Sequence, residues 1–222
     1  MTMPKRFLIA ATNSRCGKTT ITVGLLRALS NRNLHVQPYK CGPDYIDTQY
    51  HEMACGVESV NLDTRFMSEQ HLKDVFTHYG EGMDVQVVEG VMGLFDGYDR
   101  WRGSTAEIAR LLDIPILLVV NARSMAYSAA AIIKGFTTLW DDLHFAGVLF
   151  NQVGSDRHAS FLRQSCEDVG IPCVGCLPRV KELSMPSRHL GLSLEHRQEI
   201  EQMICHAAEL IENHVDYNLL EI

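Results

Sequence analysis

The chain lacks any apolar run long enough to cross a membrane. None approaches the roughly 18 consecutive apolar residues that a spanning helix requires. The N-terminal residues 1–6 lead into an apolar run, residues 7–11, that is too short for the core of a signal peptide. The sequence therefore predicts a cytoplasmic protein with no membrane partner.

The chain also lacks an excess of basic residues. Its 20 Lys and Arg residues against 27 Asp and Glu residues give a formal net charge of −7. A nucleic-acid-binding domain usually shows a basic excess, so nucleic acid is not the expected partner. This charge is compatible with a local basic pocket for an acidic small molecule.

The seven cysteines form no regular disulfide framework. An odd number without regular spacing is typical of a reducing compartment, in agreement with a cytoplasmic location. Cys173 and Cys176 form a C-x-x-C pair inside an apolar run, whereas redox pairs usually open a helix. Cys41, His51 and Cys55 match no familiar zinc-site spacing. We therefore expect these thiols to be ordinary core residues.

Apolar strand candidates alternate with amphipathic helix candidates along the chain. This alternation predicts an α/β fold with helices on both faces of a mostly parallel sheet, and 222 residues fit one such domain. Residues 116–120 are apolar at every position, as buried parallel strands are. The strand candidates are residues 7–11, 35–39, 85–89, 116–121, 146–151 and 173–177. The helix candidates are residues 18–30, 68–78, 104–112, 126–140, 156–169 and 194–213.

The loop between the first strand and the first helix has the sequence of a phosphate-binding loop. Residues 12–20 read Thr-Asn-Ser-Arg-Cys-Gly-Lys-Thr-Thr. In such loops the backbone N–H groups and the positive end of the helix dipole face the anion, a lysine reaches the phosphates, and a hydroxyl binds Mg²⁺. The loop predicts a P-loop NTPase-type three-layer sandwich. Its nucleotide-binding residues would be Asn13, Ser14, Arg15, Cys16, Gly17, Lys18, Thr19 and Thr20.

Three positions depart from the usual loop pattern. Thr12 stands where the motif usually has glycine, and Arg15 and Cys16 replace residues that are commonly small. The detailed shape of the phosphate cradle therefore stays open.

A second polar segment, residues 40–47, follows the second predicted strand. Ligands of open α/β sheets bind beyond the carboxyl ends of the strands, so this segment is a plausible site loop. Lys40 would stabilise charge on a transferring phosphoryl group, and Asp44 and Asp47 would hold Mg²⁺ or orient a substrate. The alternative is a solvated turn with a helix cap at Asp47.

A third polar segment follows the apolar strand candidate at residues 85–89. Glu89 ends that strand, where phosphoryl-transfer sites place a ligand for a metal or for water. Three glycines within residues 90–97 would let the backbone approach a ligand closely. Asp96 is a second candidate metal ligand.

Two further positions have both a binding and a structural interpretation. Ser104 and Thr105 open a helix and could offer hydroxyls to an anion such as a substrate carboxylate, or Ser104 could simply cap the helix. Asn151 ends a strand, where its amide could pair with adenine or instead pin a turn.

Together these segments resemble the ATP-binding domain of cobyrinic acid a,c-diamide synthase and of the similar hydrogenobyrinic acid enzyme. The matching stretches are residues 17–20, 40–47 with His51, 88–97, 103–106 and 151–155. The wider fold is similar to dethiobiotin synthetase. The resemblance implies ATP- and Mg²⁺-dependent amidation of the a and c acetates of a corrin ring through acyl phosphates, in cobalamin biosynthesis.

The resemblance also implies roles for individual residues and partners. Lys18, Lys40, Asp47 and Glu89 would be catalytic; Thr19, Asp47, Glu89 and Asp96 would bind the metal; and Asp44, Tyr45 and Ile46 would face the corrin polyacid. Members of the family usually carry a class I glutaminase domain, but no G-x-C-x-G elbow occurs here. We therefore expect residues 1–222 to be one synthetase domain that uses ammonia or a separate glutaminase. The oligomeric state, a homodimer included, stays open.

Two other functions remain as alternatives. Regulatory ATPase switches of the partitioning or metallocentre-maturation kind usually have a second lysine five residues before Lys18, where this chain has Asn13. A carboxylase similar to dethiobiotin synthetase is the other alternative, and the segments at residues 40–47 and 89–97 argue against it.

Overall fold

Seven parallel strands, all within the described residues 4–180 and 194–220, form the centre of the fold. In this computed structural model the strands are β1 (Lys5–Ala11), β2 (Val36–Cys41), β3 (Val60–Leu62), β4 (Val85–Glu89), β5 (Ile116–Asn121), β6 (Phe145–Val153) and β7 (Cys173–Pro178). Their order across the sheet is β3–β2–β4–β1–β5–β6–β7. Residues 1–3, part of the N-terminal segment considered above, lie outside the description.

Helices cover both faces of the sheet, which confirms the predicted three-layer α/β sandwich. They are α1 (Lys18–Asn31), α2 (Asp47–Cys55), α3 (Glu69–Gly80), α4 (Thr105–Leu112), α5 (Ala129–Thr138), α6 (Asp156–Val169) and α7 (Leu194–His214), followed by a 3₁₀ turn at Tyr217–Leu220. Apolar side chains of α1, α2 and α7 pack in one core, and those of α3 to α6 pack in the other. Within the described ranges, none of these helices combines the length and the apolar character needed to span a membrane.

The strands are apolar at successive positions because both of their faces are buried. Along β1, Phe7 and Ile9 contribute to the core beneath α1 and α7, whereas Leu8 and Ala10 contribute to the core on the opposite face. This two-sided burial is typical of a parallel sheet covered by helices. In such sheets ligands bind beyond the carboxyl ends of the strands, so the loops at that edge are the place for a site.

The structure differs from several of the predicted elements. Strand β1 begins at Lys5, and β6 runs over Phe145–Val153, so Asn151 lies two residues before the end of its strand and does not end it. Strand β2 runs over Val36–Cys41 and not over residues 35–39, so Lys40 is a strand residue. Helix α2 and the three-residue strand β3 have no counterpart among the predicted elements. Helix α5 begins at Ala129 and ends at Thr138, which is shorter than the predicted residues 126–140.

The strand order brings three polar segments of the sequence to one edge. Because β2, β4 and β1 are neighbours and parallel, their carboxyl ends lie side by side. Lys40 and Glu89 are directly paired in the register of β2 with β4, and Ile9 pairs with Glu89 in the register of β1 with β4. The fold therefore delivers Lys40, Glu89 and the loop after β1 to one place.

Candidate functional site

The loop between β1 and α1 turns into its helix at a residue with left-handed backbone geometry. Gly17 has φ +94°, and a Cβ built there would lie 2.4 Å from Nδ2 of Asn151. That Nδ2 atom donates to the backbone oxygen of Cys16 at 2.9 Å. The thiol of Cys16 is buried and lies 3.1 Å from Oδ1 of Asn13. Glycine is thus required at the turn, and Asn151 reinforces the loop from a distant strand.

We expect Gly17→Ala to weaken nucleotide binding by about tenfold or more, because an L-residue disfavours this φ and its Cβ would displace Asn151. Titration with a fluorescent ATP analogue measures the effect. Gly135→Ala is the matched control, since no atom lies within 4 Å of a Cβ at Gly135 in helix α5. Unchanged affinity in the Gly17 variant, with normal affinity in the control, would contradict this loop geometry.

A buried charge cluster lies where β2, α2 and β4 meet. Nζ of Lys40 is 2.8 Å from Oδ2 of Asp47 and 2.9 Å from Oε1 of Glu89, and it also donates to the backbone oxygen of Gly90 at 3.2 Å. The Lys40 and Asp47 residues are each only 3% exposed and Glu89 is fully buried. Charged groups are rarely buried to this extent without a partner. Here the Lys40 ammonium is the partner of both carboxyl groups, those of Asp47 and Glu89.

The three groups shift one another's proton affinity. Burial alone would raise the pKa of Glu89, but the Lys40 ammonium and the hydrogen bond from His51 hold that pKa well below its usual value. Burial alone would lower the pKa of Lys40, but Glu89 and Asp47 raise it above its usual value. Burial and the neighbouring Glu89 charge raise the pKa of Asp47. The cluster therefore holds a permanent ammonium between acidic groups.

His51 is a site residue for which the residue pattern of the sequence predicts no role. Its Nε2 lies 2.6 Å from Oε2 of Glu89, and its Nδ1 lies 2.9 Å from Oγ of Ser59. All three side chains are buried. Helix α2 was not among the predicted elements. Because Asp47 begins this helix, His51 lies four residues later on the same helical face and so reaches the cluster. His51 and Ser59 thus fix the orientation of the Glu89 carboxylate.

Thr19 and Lys18 connect the phosphate loop to this cluster. The Thr19 hydroxyl donates to Oε1 of Glu89 at 2.7 Å and lies 3.3 Å from Oδ2 of Asp47. Nζ of Lys18 donates to the backbone oxygen of Met92, and burial lowers the pKa of Lys18. Three of the predicted metal-binding residues, on three different elements, are therefore brought together.

The donor set suits Mg²⁺. A hydroxyl and two carboxylates are the hard oxygen ligands that Mg²⁺ prefers, and the ion usually takes only one or two carboxylates alongside phosphate and water. Across residues 4–180 and 194–220, no group of three or more His, Cys, Asp or Glu side chains is arranged to hold a metal. One hydroxyl and two carboxylates leave the other ligand positions of such an ion to phosphate and water.

The segment after β2 projects from the site into solvent. Oδ1 of Asp44 accepts from the backbone N–H groups of Ile46 and Asp47 at 3.0 and 3.1 Å, so it stabilises the start of α2. The helix-capping role that the sequence offered as an alternative for Asp47 is thus performed by Asp44. The Asp47 side chain points into the charge cluster instead. Tyr45 is 70% exposed and Ile46 is 37% exposed, and in the chain they stand between Asp44 and Asp47, which line the cavity. Their substrate contacts stay a prediction.

Three other predicted residues are hydrogen-bonded in the loop after β4 or at the start of α4. Oδ2 of Asp96 accepts from a backbone N–H three residues earlier, at 3.1 Å. Ser104 caps α4 by accepting from the backbone of Glu107 at 3.2 Å. The Thr105 hydroxyl accepts from the N–H of Val91 at 2.9 Å and donates to its C=O at 3.0 Å. These contacts shape the loop, and the metal and substrate roles predicted for the three residues stay predictions.

A cavity of about 980 Å³ opens over the phosphate loop and the charge cluster. This volume lies within the range of small-molecule pockets. Asn151 lines it, and because its amide already bonds Cys16 and the N–H of Gln152, it pins the loop as the structural alternative proposed. One N–H and one lone pair of that amide remain for a base, so adenine recognition stays a prediction. The remaining lining residues on this side include Asn121, Arg123, Leu177, Pro178 and Val180.

The loop after β1 turns into α1 at a glycine with positive φ, and the cavity above it reaches a lysine, a threonine and two carboxylates, one at the end of β4 and one at the start of α2. This arrangement defines a P-loop nucleotide-binding protein. Solved structures agree at the level of the fold. Chloroplast FtsY from Physcomitrella patens has a TM-score of 0.60 at 14% identity, covering 92% of this chain and 66% of that one. FtsY from Mycoplasma mycoides has a TM-score of 0.56 at 12% identity, covering 92% and 67%.

Residues 7–192 match the CobQ/CobB/MinD/ParA nucleotide binding domain, and the chain belongs to that family. Hydrogenobyrinate a,c-diamide synthase of Brucella anthropi is 45% identical over 98% of this chain and 50% of its own length. Cobyrinate a,c-diamide synthase of Picrophilus torridus is 44% identical over 96% of this chain and 49% of its own length. The resemblance seen in the motifs is thereby confirmed, and the chain spans about half the length of these relatives.

Proposed function

We propose that this chain is the synthetase part of an ATP- and Mg²⁺-dependent carbon–nitrogen ligase. It would amidate the a and c acetate carboxylates of a corrin ring, cobyrinic or hydrogenobyrinic acid, in cytoplasmic cobalamin biosynthesis. One observation carries the proposal: the Lys40–Asp47–Glu89 cluster touches Thr19 of the phosphate loop within the same cavity. The relatives of 44–45% identity support this choice among carboxylate-activating reactions.

The chemistry needs activation because a carboxylate is a poor electrophile. An oxygen of the substrate carboxylate attacks the γ-phosphorus of ATP, and the bond to ADP breaks. Ammonia then attacks the acyl carbon of the resulting acyl phosphate, inorganic phosphate leaves, and the amide loses a proton. Ammonia would come from solution or from a glutaminase domain or subunit acting on glutamine.

The charged side chains would act on the phosphoryl group during the first step. Lys18 would bind the terminal phosphates from the phosphate loop, while Lys40 would stabilise the charge that spreads over the transferring group. Mg²⁺ held by Thr19, Asp47 and Glu89, with Asp96 as a further candidate, would neutralise charge on the phosphates. His51 and Ser59 would be positioning residues, because they reach the reaction only through Glu89.

The remaining predicted residues would hold the two substrates in place. Asn151 would read the adenine base at one end of the cavity. Asp44, Tyr45 and Ile46 would contact the corrin polyacid at the other end, and Ser104 and Thr105 would bind substrate carboxylate through α4. Such positioning contributes to catalysis because it replaces a bimolecular encounter with a fixed geometry.

The test is to supply ATP, MgCl₂, ammonium chloride and cobyrinic acid, and to follow products by high-resolution mass spectrometry. We expect the mono- and diamides to form with equivalent ADP and phosphate. Hydroxylamine in place of ammonium should trap a hydroxamate only when the polyacid is present. If ATP hydrolysis instead ignores every polyacid and responds to a protein partner, the chain is a regulatory switch and the proposal fails.

A further inference from the structure

Three loops at the carboxyl edge of β3, β2 and β4 form one continuous surface beside the cavity. We call residues 42–46, 63–68 and 90–104 the outer loop surface. The three strands are neighbours in the sheet, so their following loops lie side by side. Asn61 of β3 donates to the backbone oxygens of Gly42 and Asp44 at 2.7 and 3.1 Å. These bonds join the first loop to the strand that leads into the second loop.

A carboxylate joins the second and third loops. Oε2 of Glu107 accepts from the Thr64 hydroxyl and from the backbone N–H of Gly103, both at 2.7 Å. The Arg65 guanidinium lies 5.3 Å from the ring centre of Tyr98, which adds a second contact between these loops. The surface is thus assembled by contacts between loops and forms one face of the site.

The outer loop surface exposes large apolar side chains. Phe66 is 74% exposed, Tyr45 is 70% exposed and Tyr98 is 58% exposed, and Met92 of the third loop is exposed and lines the cavity. Single exposed apolar residues are ordinary, but several on one contiguous face mark a binding surface. Flat rings of this kind favour a flat apolar ligand.

The same surface carries three exposed guanidinium groups, those of Arg65, Arg100 and Arg102. Among the residues that the structure describes, none of the three forms an ion pair with a carboxylate. Of the acids of the same loops, Asp44, Asp63 and Asp96 accept from backbone N–H groups. Asp99, which precedes Arg100, is exposed and, within the described part of the chain, forms no ion pair with the three arginines. The arginine forks are thus available to ligand carboxylates, which they bind in bidentate geometry.

We propose that the outer loop surface binds the macrocycle of a tetrapyrrole polyacid outside the reaction cavity. The rings of Tyr45, Phe66 and Tyr98 contact the face of the macrocycle, and the three arginines pair with carboxylates that are not reacting. This inference rests on the proposed function, since it concerns that reaction's substrate. A reaction that takes one carboxylate at a time into the cavity leaves the others outside, where they need cationic partners.

Such a surface also accounts for two amidations at one site. The ring must bind again in a second orientation to present its other acetate. Mobile guanidinium groups that recognise carboxylates in general, without fixing one position, permit both orientations. The outer loop surface is accordingly a specificity determinant for polyacids, and Lys40 and Glu89 act on whichever acetate enters the cavity.

The test compares Arg65→Gln, Arg100→Gln, Arg102→Gln and their triple combination with the parent chain. Arg157→Gln is the matched control, because Arg157 is also exposed and also lies over a ring, that of Phe161 in helix α6. Binding of cobyrinic acid and of its fully methyl-esterified form is measured directly by quenching of Trp fluorescence. Trp101, within the third loop, is the built-in reporter.

We expect each single variant to raise the Kd for cobyrinic acid about two- to fivefold, and the triple variant to raise it more than about tenfold. The Kd for ATP should not change, nor should the control differ from the parent. The methyl ester should bind weakly to every variant, without dependence on the arginines.

An unchanged Kd for cobyrinic acid in the triple variant, with amidation intact, would overturn this inference alone. That result is expected if the outer loop surface packs against a further domain. A parent chain that binds no polyacid would overturn the inference together with the proposed function.

Discussion

Glu89→Gln should abolish turnover while leaving the affinity for ATP within several-fold of the parent. Glu89 accepts from Lys40 and Thr19 through Oε1 and contacts His51 through Oε2. The amide keeps the size of the side chain but removes the negative charge that the metal and Lys40 require. Nucleotide affinity depends mainly on the phosphate loop, whose backbone this change does not touch.

Amidation and ATP titration of the same preparation separate the two effects. We expect kcat to fall by at least about a hundredfold, the scale on which removing a charge-stabilising group acts. Glu52→Gln on helix α2 is the control, because its side chain is exposed and lies outside the cluster. A Glu89 variant with full activity would remove Glu89 from the reaction.

Lys40→Met should cost both activity and stability. It removes the ammonium that lies 2.8 Å from Asp47 and 2.9 Å from Glu89, and so leaves two acidic groups together in the interior. Breaking a buried ion pair in this way costs about 3–5 kcal/mol of unfolding free energy. Urea unfolding followed by circular dichroism measures this loss.

The double variant Lys40→Met with Glu89→Gln shows whether charge is the cause. Removing one of the two stranded charges should restore part of the lost stability without restoring activity, so the two changes should not be additive. If Lys40→Met unfolds at the parent's urea concentration, or if the double variant is less stable than the sum of the single changes predicts, the buried-charge account is wrong.

The sequence predicts well those parts of the site that are local. The phosphate loop can be identified from the sequence because all of its residues lie in one strand–loop–helix segment, in which Gly17 and Lys18 occupy fixed positions. The α/β class is readable because strands buried on both faces must be apolar throughout. Ser104 likewise caps α4, as its structural interpretation predicts, since a capping contact spans only three residues.

The contacts of the site that depend on the order of the strands in the sheet cannot be predicted from the sequence in the same way. Alternating strands and helices do not reveal that β2 pairs with β4. The contact between Lys40 and Glu89 follows from that pairing, as does the burial that shifts their pKa values. The contact of His51 with Glu89 was not predicted because α2 is short and mostly polar, so its periodicity gives little sign of a helix.

The most direct test of the account follows an isotope through the reaction. Cobyrinic acid with ¹⁸O-labelled carboxylates is converted with ATP, Mg²⁺ and ammonium, and the released phosphate is weighed. The account predicts one ¹⁸O atom in inorganic phosphate for each amide formed, because the carboxylate oxygen bonds to the γ-phosphorus. Amide formation with no ¹⁸O in phosphate, or with the label in AMP, would contradict it.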